Sequence, residues 1–223
     1  MLADDAPGRP LGRRAFLGLV GLGLGALVLG RGDSVLPAAV RSVVPGLGGG
    51  WRIYSVNPPM PTFDPASWSL RIDGLVERPQ TLAYADLLAL PRAEQTSDFH
   101  CVTGWSVSGV RWAGVRFGDL LARARPLPSA GALVFVSAEI PYVESLTMAQ
   151  ADSPDAMVAY EMDGRPLSRE HGAPARVVMP RMYGYKGTKW LARIVVTERA
   201  LDGYWEQRGY DRDAWIGHSN GLS

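Results

Sequence analysis

The sequence contains little cysteine and almost no net charge, and both shortages exclude classes of protein. Its 223 residues include one cysteine, Cys101, so neither an intrachain disulfide framework nor a zinc or iron–sulfur site built from several cysteines is available. Lys and Arg outnumber Asp and Glu by only 23 to 22, whereas a protein that binds nucleic acid needs a basic surface. We therefore expect no nucleic-acid partner.

Long hydrophobic runs are also scarce, and one apolar run near the N-terminus stands out. Arg13 and Arg14 precede the uncharged segment Ala15–Gly30, which as a helix would reach roughly 24 Å against the ~30 Å hydrocarbon core of a membrane. Paired arginines before such a segment are typical of a twin-arginine export signal. A short membrane anchor and a buried helix are the alternatives, and no clean cleavage site follows.

From this segment we predict that residues 1–43 form a twin-arginine signal or a membrane anchor. The protein would then be exported to the periplasm or another extracytoplasmic space, with membrane association possible through the same residues. Val44–Gly50 is glycine-rich and Asn57–Pro61 is proline-rich, and both compositions disfavour regular structure. We predict a linker over residues 44–62 and one domain over residues 63–223.

Hydrophobic patterns after the linker predict more strands than helices. Strands are expected at residues 68–73, 133–136, 157–161, 176–179 and 190–197. Helices are expected at residues 81–90 and 116–124. Because strands and helices do not alternate as regular βαβ units, the pattern favours an α+β domain with a mixed β-sheet.

The lone thiol of Cys101 has two interpretations. A single cysteine is often a small buried hydrophobic residue. A solitary thiol in an oxidising compartment is exposed to oxidation unless it is protected, and bonding to a metal would protect it. One cysteine cannot hold a metal alone, so a cofactor would have to supply other ligands. His100 is adjacent, but neighbouring residues of a strand face opposite sides, so a structural role is expected for it.

Cationic residues gather late in the chain around several glycines. Arg176, Arg181, Lys186 and Lys189 lie in this stretch, with His171 nearby. Glycines allow close approach to an anion, and Arg and Lys supply charge-assisted hydrogen bonds to phosphate. The residues do not follow the order of a Walker loop. By spacing alone, a basic surface loop and a phosphate pocket are equally compatible with the stretch.

Four sequence blocks and a fifth that extends them occur in a characteristic order. They are Phe99–Ser106 (FHCVTGWS), Tyr160–Leu167 (YEMDGRPL), Glu170–Pro174 (EHGAP), Tyr183–Leu191 (YGYKGTKWL) and Gly203–Tyr210 (GYWEQRGY). Together they resemble the sulfite oxidase family of molybdopterin enzymes, including the catalytic subunit of protein-methionine-sulfoxide reductase. The resemblance implies an α+β fold with a mixed β-sheet molybdopterin-binding domain of the sulfite oxidase type. It also implies a molybdopterin-dependent oxidoreductase with Mo-molybdopterin as its cofactor.

The resemblance also assigns roles to individual residues. Cys101 matches the thiolate that is the protein ligand to molybdenum, and Tyr210 matches a tyrosine near the metal's oxo groups. Both are therefore expected to be catalytic. The expected cofactor-binding residues, besides Cys101, are Asn57, Ser137, His171, Arg176, Gly187, Thr188 and Lys189. In the reductase branch Asn stands where this chain has His171, which favours the sulfite oxidase type, whereas the segment after Cys101 is closer to the reductase branch.

Substrate and partner follow less directly from the resemblance. We expect oxygen-atom or two-electron transfer on a small sulfur–oxygen substrate. Because the chain has no C-x-x-C-H haem motif, electrons would be exchanged with a separate protein, either a membrane haem protein or a cytochrome. A sulfite dehydrogenase and a non-catalytic exported binding module are the alternatives. Arg111 and Arg181 are the candidates for an anionic substrate pocket.

Overall fold

The computed structural model describes residues 50–217, which form ten β-strands and three short α-helices. The strands are β1 (Ser69–Gly74), β2 (Gln80–Ala83), β3 (Ala93–Cys101), β4 (Trp105–Arg116), β5 (Ala132–Ser137), β6 (Val143–Thr147), β7 (Met157–Met162), β8 (Arg165–Pro166), β9 (Arg176–Val178) and β10 (Leu191–Thr197). The helices are α1 (Tyr84–Leu88), α2 (Phe117–Ala124) and α3 (Met148–Ala151). The predicted α+β class is confirmed.

The first sheet is mixed, as the sequence predicts. Its order is β2-β1-β10-β5-β6, with β1 and β10 parallel and the other pairs antiparallel. Leu70 and Ile72 of β1 alternate with more exposed residues and are almost completely buried, because side chains of a strand point alternately to its two faces. Ile72 pairs with Ile194 of β10, which brings two distant parts of the chain side by side.

The second sheet is antiparallel and carries the long hairpin β3–β4. Its order is β3-β4-β7-β8, and β9 also pairs with β7. The sequence analysis assigned no strand to this hairpin. The reason is that β3 buries no residue completely and carries polar side chains on both faces, as in the run from Glu94 to Asp98. The hairpin turns at Gly104, whose φ of +89° suits glycine, so that Cys101 lies at the tip.

The apolar core is formed mainly by residues from the first sheet, from strands of the second sheet and from α2. Phe117 of α2 stacks on Phe135 of β5 with ring centroids 5.4 Å apart. Leu120 and Ala124 of α2 are buried as well, which is the amphipathic pattern that predicted this helix.

The helix predicted at residues 81–90 is wrong in its first part. Residues Gln80–Ala83 form β2, where Leu82 pairs with Leu70 of β1. The helix begins only at Tyr84, and the Asp86 carboxylate accepts a hydrogen bond from the Ala83 amide at its start (2.9 Å). Pairing along the sheet edge therefore overrides the helical spacing of the leucines.

The predicted signal or anchor, residues 1–43, lies outside the described residues. Across residues 50–217, no helix is both long enough and apolar enough to span a bilayer. Residues 51–57, which the sequence analysis placed in the linker, contact the rest of the domain through hydrogen bonds and aromatic rings.

Candidate active site

A large cleft opens at the tip of the β3–β4 hairpin. Its empty space, including the solvent at its open mouth, is about 910 Å³. Six of the predicted site residues line it. They are Cys101, His171, Arg176, Gly187, Lys189 and Tyr210.

Cys101 is the last residue of β3 and is only partly buried. Its Sγ lies 3.2 Å from Thr103 Oγ1, and the turn is closed by a hydrogen bond from the Gly104 amide to the Cys101 carbonyl (3.0 Å). The thiol is thus held on a short, defined turn facing the cleft, where it could bind a soft metal. His100 Nδ1 lies 2.8 Å from Ser106 Oγ on the paired strand.

Besides the exposed Arg52, three cationic or basic side chains that are buried or half-buried line the cleft. Arg176 of β9 is 4% exposed, and its guanidinium has only backbone carbonyls as hydrogen-bond acceptors within the described residues, at 3.3–3.4 Å. Lys189 Nζ donates to the carbonyls of Tyr54 (2.6 Å) and Glu170 (3.2 Å). His171 packs edge-on against Trp51 at 4.7 Å.

The electrostatics of this cluster favour an anion. Burial, followed by the charges of Arg176 and Lys189, lowers the pKa of His171 to about 4. Burial and the charge of Arg176 lower the pKa of Lys189 to about 8, and burial lowers the pKa of Arg176 to about 10. The charged form of each group is therefore less stable in the cleft than it would be in water. A bound phosphate would stabilise the charged forms and raise these pKa values.

The surrounding donors also fit a phosphate-bearing group. A Cβ on Gly187 would lie 3.0 Å from Arg176 Nη2, so glycine leaves room for close approach of a ligand. Thr188 is completely buried, and its Oγ1 has no hydrogen-bond partner within residues 50–217. A guanidinium and an ammonium around a glycine form a donor set that suits a pterin phosphate, and the Thr188 hydroxyl lies behind them.

Ser137 lies behind the part of the cleft that Lys189 lines. Its Oγ donates to the Lys189 carbonyl (2.7 Å) and accepts from the Glu139 amide (2.9 Å). These bonds place Ser137 where it orients the backbone of Lys189. Like Thr188, it is absent from the cleft lining, so both hydroxyls lie one layer behind the surface that a cofactor would contact.

Tyr210 lines the cleft on a wall made of aromatic residues. Its ring centroid lies 5.1 Å from that of Trp205 and 5.4 Å from that of Tyr185. The Tyr185 hydroxyl donates to the Asp211 carbonyl (2.6 Å), which ties the wall to the residue after Tyr210.

An N-terminal strap, residues 51–57, borders the cleft, and the sequence analysis identified only Asn57 of it as a site residue. The Trp51 ring lies 4.8 Å from Phe99. The Glu139 carboxylate accepts hydrogen bonds from Ser55 Oγ and from the Val56 amide (2.9 Å). Two aromatic residues, Trp51 and Tyr54, directly after a glycine-rich run were the available signal, because exposed spacers rarely carry large rings.

Asn57 belongs to this strap but does not line the cleft. Its side-chain amide donates to the Ile140 carbonyl (2.7 Å), and its backbone amide approaches Glu139 Oε1 at 3.4 Å. The structure thus places Asn57 beside the strap's attachment to Glu139.

The two arginines considered for an anionic substrate pocket lie away from the cleft lining. Arg111 Nε is 4.0 Å from Asp163 Oδ1. Arg181 Nη2 is 3.6 Å from Asp155 Oδ1, and its guanidinium lies over the Trp215 ring at 5.8 Å.

Comparison with known proteins agrees with this geometry. The oxidoreductase molybdopterin binding domain matches residues 57–205. The chain is 38% identical over 154 residues to the uncharacterized oxidoreductase YuiH of Bacillus subtilis (strain 168), covering 68% of this chain and 77% of YuiH. It is 33% identical over 178 residues to mitochondrial sulfite oxidase of Drosophila melanogaster, covering 68% of this chain and 31% of that protein.

Two further similarities point the same way. The chain is 32% identical over 161 residues to the protein-methionine-sulfoxide reductase catalytic subunit MsrP of Campylobacter jejuni, covering 65% of this chain and 54% of MsrP. In structure it resembles the sulfane dehydrogenase SoxCD of Paracoccus pantotrophus, with a TM-score of 0.59, 27% identity and coverage of 65% of this chain and 41% of that one.

Except for YuiH, these proteins are matched over less than two thirds of their own length. What is shared is therefore the domain that carries the cleft. The family match and the arrangement of Cys101 opposite the cationic cluster lead to one assignment: the chain belongs to the sulfite oxidase family of oxidoreductases, with a molybdopterin-binding domain and molybdopterin as its cofactor.

Proposed function

We propose that this protein is an exported molybdenum oxidoreductase that transfers an oxygen atom or two electrons on a small sulfur–oxygen substrate. One observation carries the proposal. Cys101 shares a cleft with His171, Arg176 and Lys189, which come much later in the chain. A soft metal ligand and a phosphate-binding cluster in the same cleft are what a metal–pterin cofactor requires.

Five residues of the cleft have a named role in this proposal. Cys101 binds molybdenum through its thiolate, and His171, Arg176 and Lys189 hold the pterin phosphate. When bound, the cofactor supplies two-electron redox chemistry and oxygen-atom transfer. Tyr210 orients a substrate oxygen by donating a hydrogen bond from its hydroxyl, and the surrounding aromatic rings exclude water from the site.

The aromatic surroundings of Tyr210 favour a neutral sulfoxide as substrate. Arg111 and Arg181 are engaged by carboxylates outside the cleft lining, and aromatic residues surround Tyr210. The similarity to MsrP, a subunit of a protein-methionine-sulfoxide reductase, also supports a sulfoxide substrate. The second candidate, a sulfite dehydrogenase that passes electrons to a cytochrome, is supported by the similarity to sulfite oxidase. Steady-state kinetics with methionine sulfoxide and with sulfite distinguish the two.

The metal assignment is tested by producing the protein in a host that synthesises molybdopterin. We expect the Cys101→Ser variant to lose at least about 100-fold in activity, since changes even around metal ligands cost 10–100-fold. His100→Gln, which changes the neighbouring residue, serves as the control and is expected to keep its molybdenum. A Cys101→Ser variant with full molybdenum content and full activity would show that Cys101 is not the ligand.

We further propose that a separate electron-transfer protein, either a membrane haem protein or a cytochrome, exchanges electrons with this site. The similarity to a sulfane dehydrogenase supports the proposal, because a dehydrogenase passes electrons to an acceptor other than oxygen. Purified holoenzyme is expected to turn over with an artificial dye as electron donor or acceptor. Turnover with substrate alone, without any added redox partner, would contradict it.

A further inference from the structure

Three charged side chains are buried together behind the wall that carries Tyr210. Glu144 of β6, Lys186 and Glu206 expose 0%, 2% and 1% of their side chains. Lys186 Nζ donates to Glu144 Oε1 (2.8 Å), to Glu206 Oε1 and to the Ser145 carbonyl (3.3 Å). We call these three residues the buried triad.

The charges of the buried triad do not balance. Two carboxylates and one ammonium carry a net charge of −1 when all are ionised, and burying an uncompensated charge is strongly unfavourable. The outer oxygens, Glu144 Oε2 and Glu206 Oε2, have no hydrogen-bond partner in the described part of the chain. Both face Gly203, where an added Cβ would lie 2.6–2.8 Å from them.

The neighbouring titratable groups do not supply the missing positive charge. Tyr142 and Tyr185 face Glu144 and Glu206 as neutral or negative groups. The two cations of the 203–213 segment are both exposed: Arg212 acts on Glu206 but pairs with Asp202, and Arg208 lies over the Tyr204 ring at 3.6 Å. The guanidinium of Arg176 is directed to the carbonyls around the cleft instead.

We propose that the buried triad binds one proton on its two carboxyl groups and that this protonated triad positions the wall of the active site. The proton comes from solvent and makes the triad neutral overall. The positioning part rests on the proposed function, because it concerns the wall of the proposed active site. The proton-binding part does not depend on it.

The triad acts on the site through the segments that it joins. Lys186 ends the 3-10 helix Gly184–Lys186, of which Gly184 and Tyr185 line the cleft. Glu206 begins the 3-10 helix Glu206–Arg208, directly after Trp205, which also lines the cleft. The triad residues are therefore positioning residues for the wall that carries Tyr210.

The proton has a predictable effect on stability. Burial raises the pKa of Glu144 to about 8, against the opposing charge of Lys186. Between the ordinary pKa of 4.5 and about 8, the folded protein keeps a proton that the unfolded chain releases. The contribution of the triad to stability therefore falls as pH rises through this window, and this contribution increases the unfolding equilibrium constant by up to about tenfold per pH unit.

The proton-binding part is tested by equilibrium unfolding of the full chain between pH 5 and pH 8. Glu144→Gln and Glu206→Gln are each expected to remove this pH dependence, because the remaining carboxylate neutralises Lys186 without a proton. The double variant leaves Lys186 unpaired and is expected to be less stable than the sum of the two single changes. Glu77→Gln, at an exposed pair with Arg125, is the control and should keep the wild-type slope. Single variants that also keep this slope would overturn the proposal.

The positioning part is tested by tryptophan fluorescence, which needs no cofactor. Ionisation of the triad is expected to change the emission of Trp205 with a midpoint near pH 8, the pKa of Glu144. The change should be absent in Glu144→Gln and in Trp205→Phe. An emission that stays constant across this range in the wild type, while the unfolding data show a bound proton, would mean that the triad does not position the wall.

Discussion

At the scale of single residues, the cleft combines a thiol and a cationic cluster that are stabilised by different means. Cys101 is held by a tight turn, whereas His171 and Lys189 are held by rings and backbone carbonyls. In the described part of the chain, the hydrogen bonds of Arg176 and Lys189 go to backbone carbonyls and not to carboxylates. An anion that binds there completes interactions that the protein itself does not satisfy.

The lowered pKa of His171 predicts a pH dependence of stability in the protein without cofactor. The folded-state pKa of about 4 lies below the ordinary value of 6.5, so the unfolded chain binds more protons between these values. The contribution of His171 to stability should therefore rise with pH from about 4 to 6.5, opposite in sign to the contribution of the buried triad. We expect His171→Gln to remove this contribution, measured as the difference from the wild type in urea unfolding at several pH values. Identical pH profiles for the two proteins would contradict the prediction.

At the scale of elements, the β3–β4 hairpin delivers Cys101 and depends on close packing against β7. Gly114 of β4 lies so near that strand that a Cβ would come within 2.0 Å of the Val158 carbonyl oxygen. A register shift occurs at the same place, between Ala113 and Gly114. The hairpin can therefore bend over the core only because this position has no side chain.

This packing predicts opposite effects for two glycine substitutions. Gly114→Ala should destabilise the fold by about 1–3 kcal/mol, because the added methyl group meets backbone atoms that cannot move aside. Gly118→Ala in α2 has nothing within 4 Å and should stabilise it by up to about 1 kcal/mol through helix propensity. Denaturant unfolding measures the change in stability of each variant. Equal changes would show that the close approach of Gly114 to β7 does not require a glycine.

The strap is the second element on which the cleft depends, and it predicts a change in cofactor retention. Trp51 contacts Phe99 and His171 through its ring, so removing the ring should loosen one border of the cleft. We expect Trp51→Ala to release molybdopterin about tenfold faster, which corresponds to about 1.4 kcal/mol. The measurement is the release of pterin fluorescence over time.

The control for the strap is Leu88→Ala, which removes an exposed apolar side chain of α1. This variant should release the cofactor at the wild-type rate. If Trp51→Ala also releases it at that rate, the strap borders the cleft without retaining the cofactor.

At the scale of the whole molecule, the cleft draws on strands of the second sheet and on segments that connect strands of both sheets. β3 and β9 of the second sheet supply Cys101 and Arg176. The segment between β9 and β10 supplies Gly187 and Lys189, and the chain after β10 supplies Tyr210. Such a site forms only when the complete domain has folded, which suits the proposed export of folded, cofactor-loaded protein.

Export by the twin-arginine route predicts a specific dependence on the first residues. Arg13→Lys combined with Arg14→Lys keeps the charge but removes the arginine pair, so the protein should remain in the cytoplasm with its molybdenum bound. Cell fractionation followed by metal analysis measures both properties. Replacement of Arg9 by Lys is the control and should leave export unchanged. Export of the Arg13/Arg14 double variant at the normal level would contradict the proposed route.

Much of the fold follows from local patterns, and the exceptions share a cause. β1, β10 and α2 were predicted because each buries one face and shows it in its residue spacing, and β5 and β7 because each contains a short, continuous apolar run. The hairpin β3–β4 and the short strand β2 were not, because β3 buries no residue completely and the leucine of β2 also fits a helical spacing. Strands without a clearly buried face leave little trace in local hydrophobicity.

By itself, the sequence determined the chemistry that this protein can carry: one thiol, a cationic stretch rich in glycine, and ordered blocks typical of a molybdopterin enzyme. Only the tertiary structure decided which of these residues share a cleft, that Ser137 and Thr188 lie behind its surface, and that Arg111 and Arg181 lie outside it. It also brought Glu144, Lys186 and Glu206 together. The physical reason is that residue type fixes which interactions are available, whereas distance and burial, which fix their strength, arise only when remote segments pack.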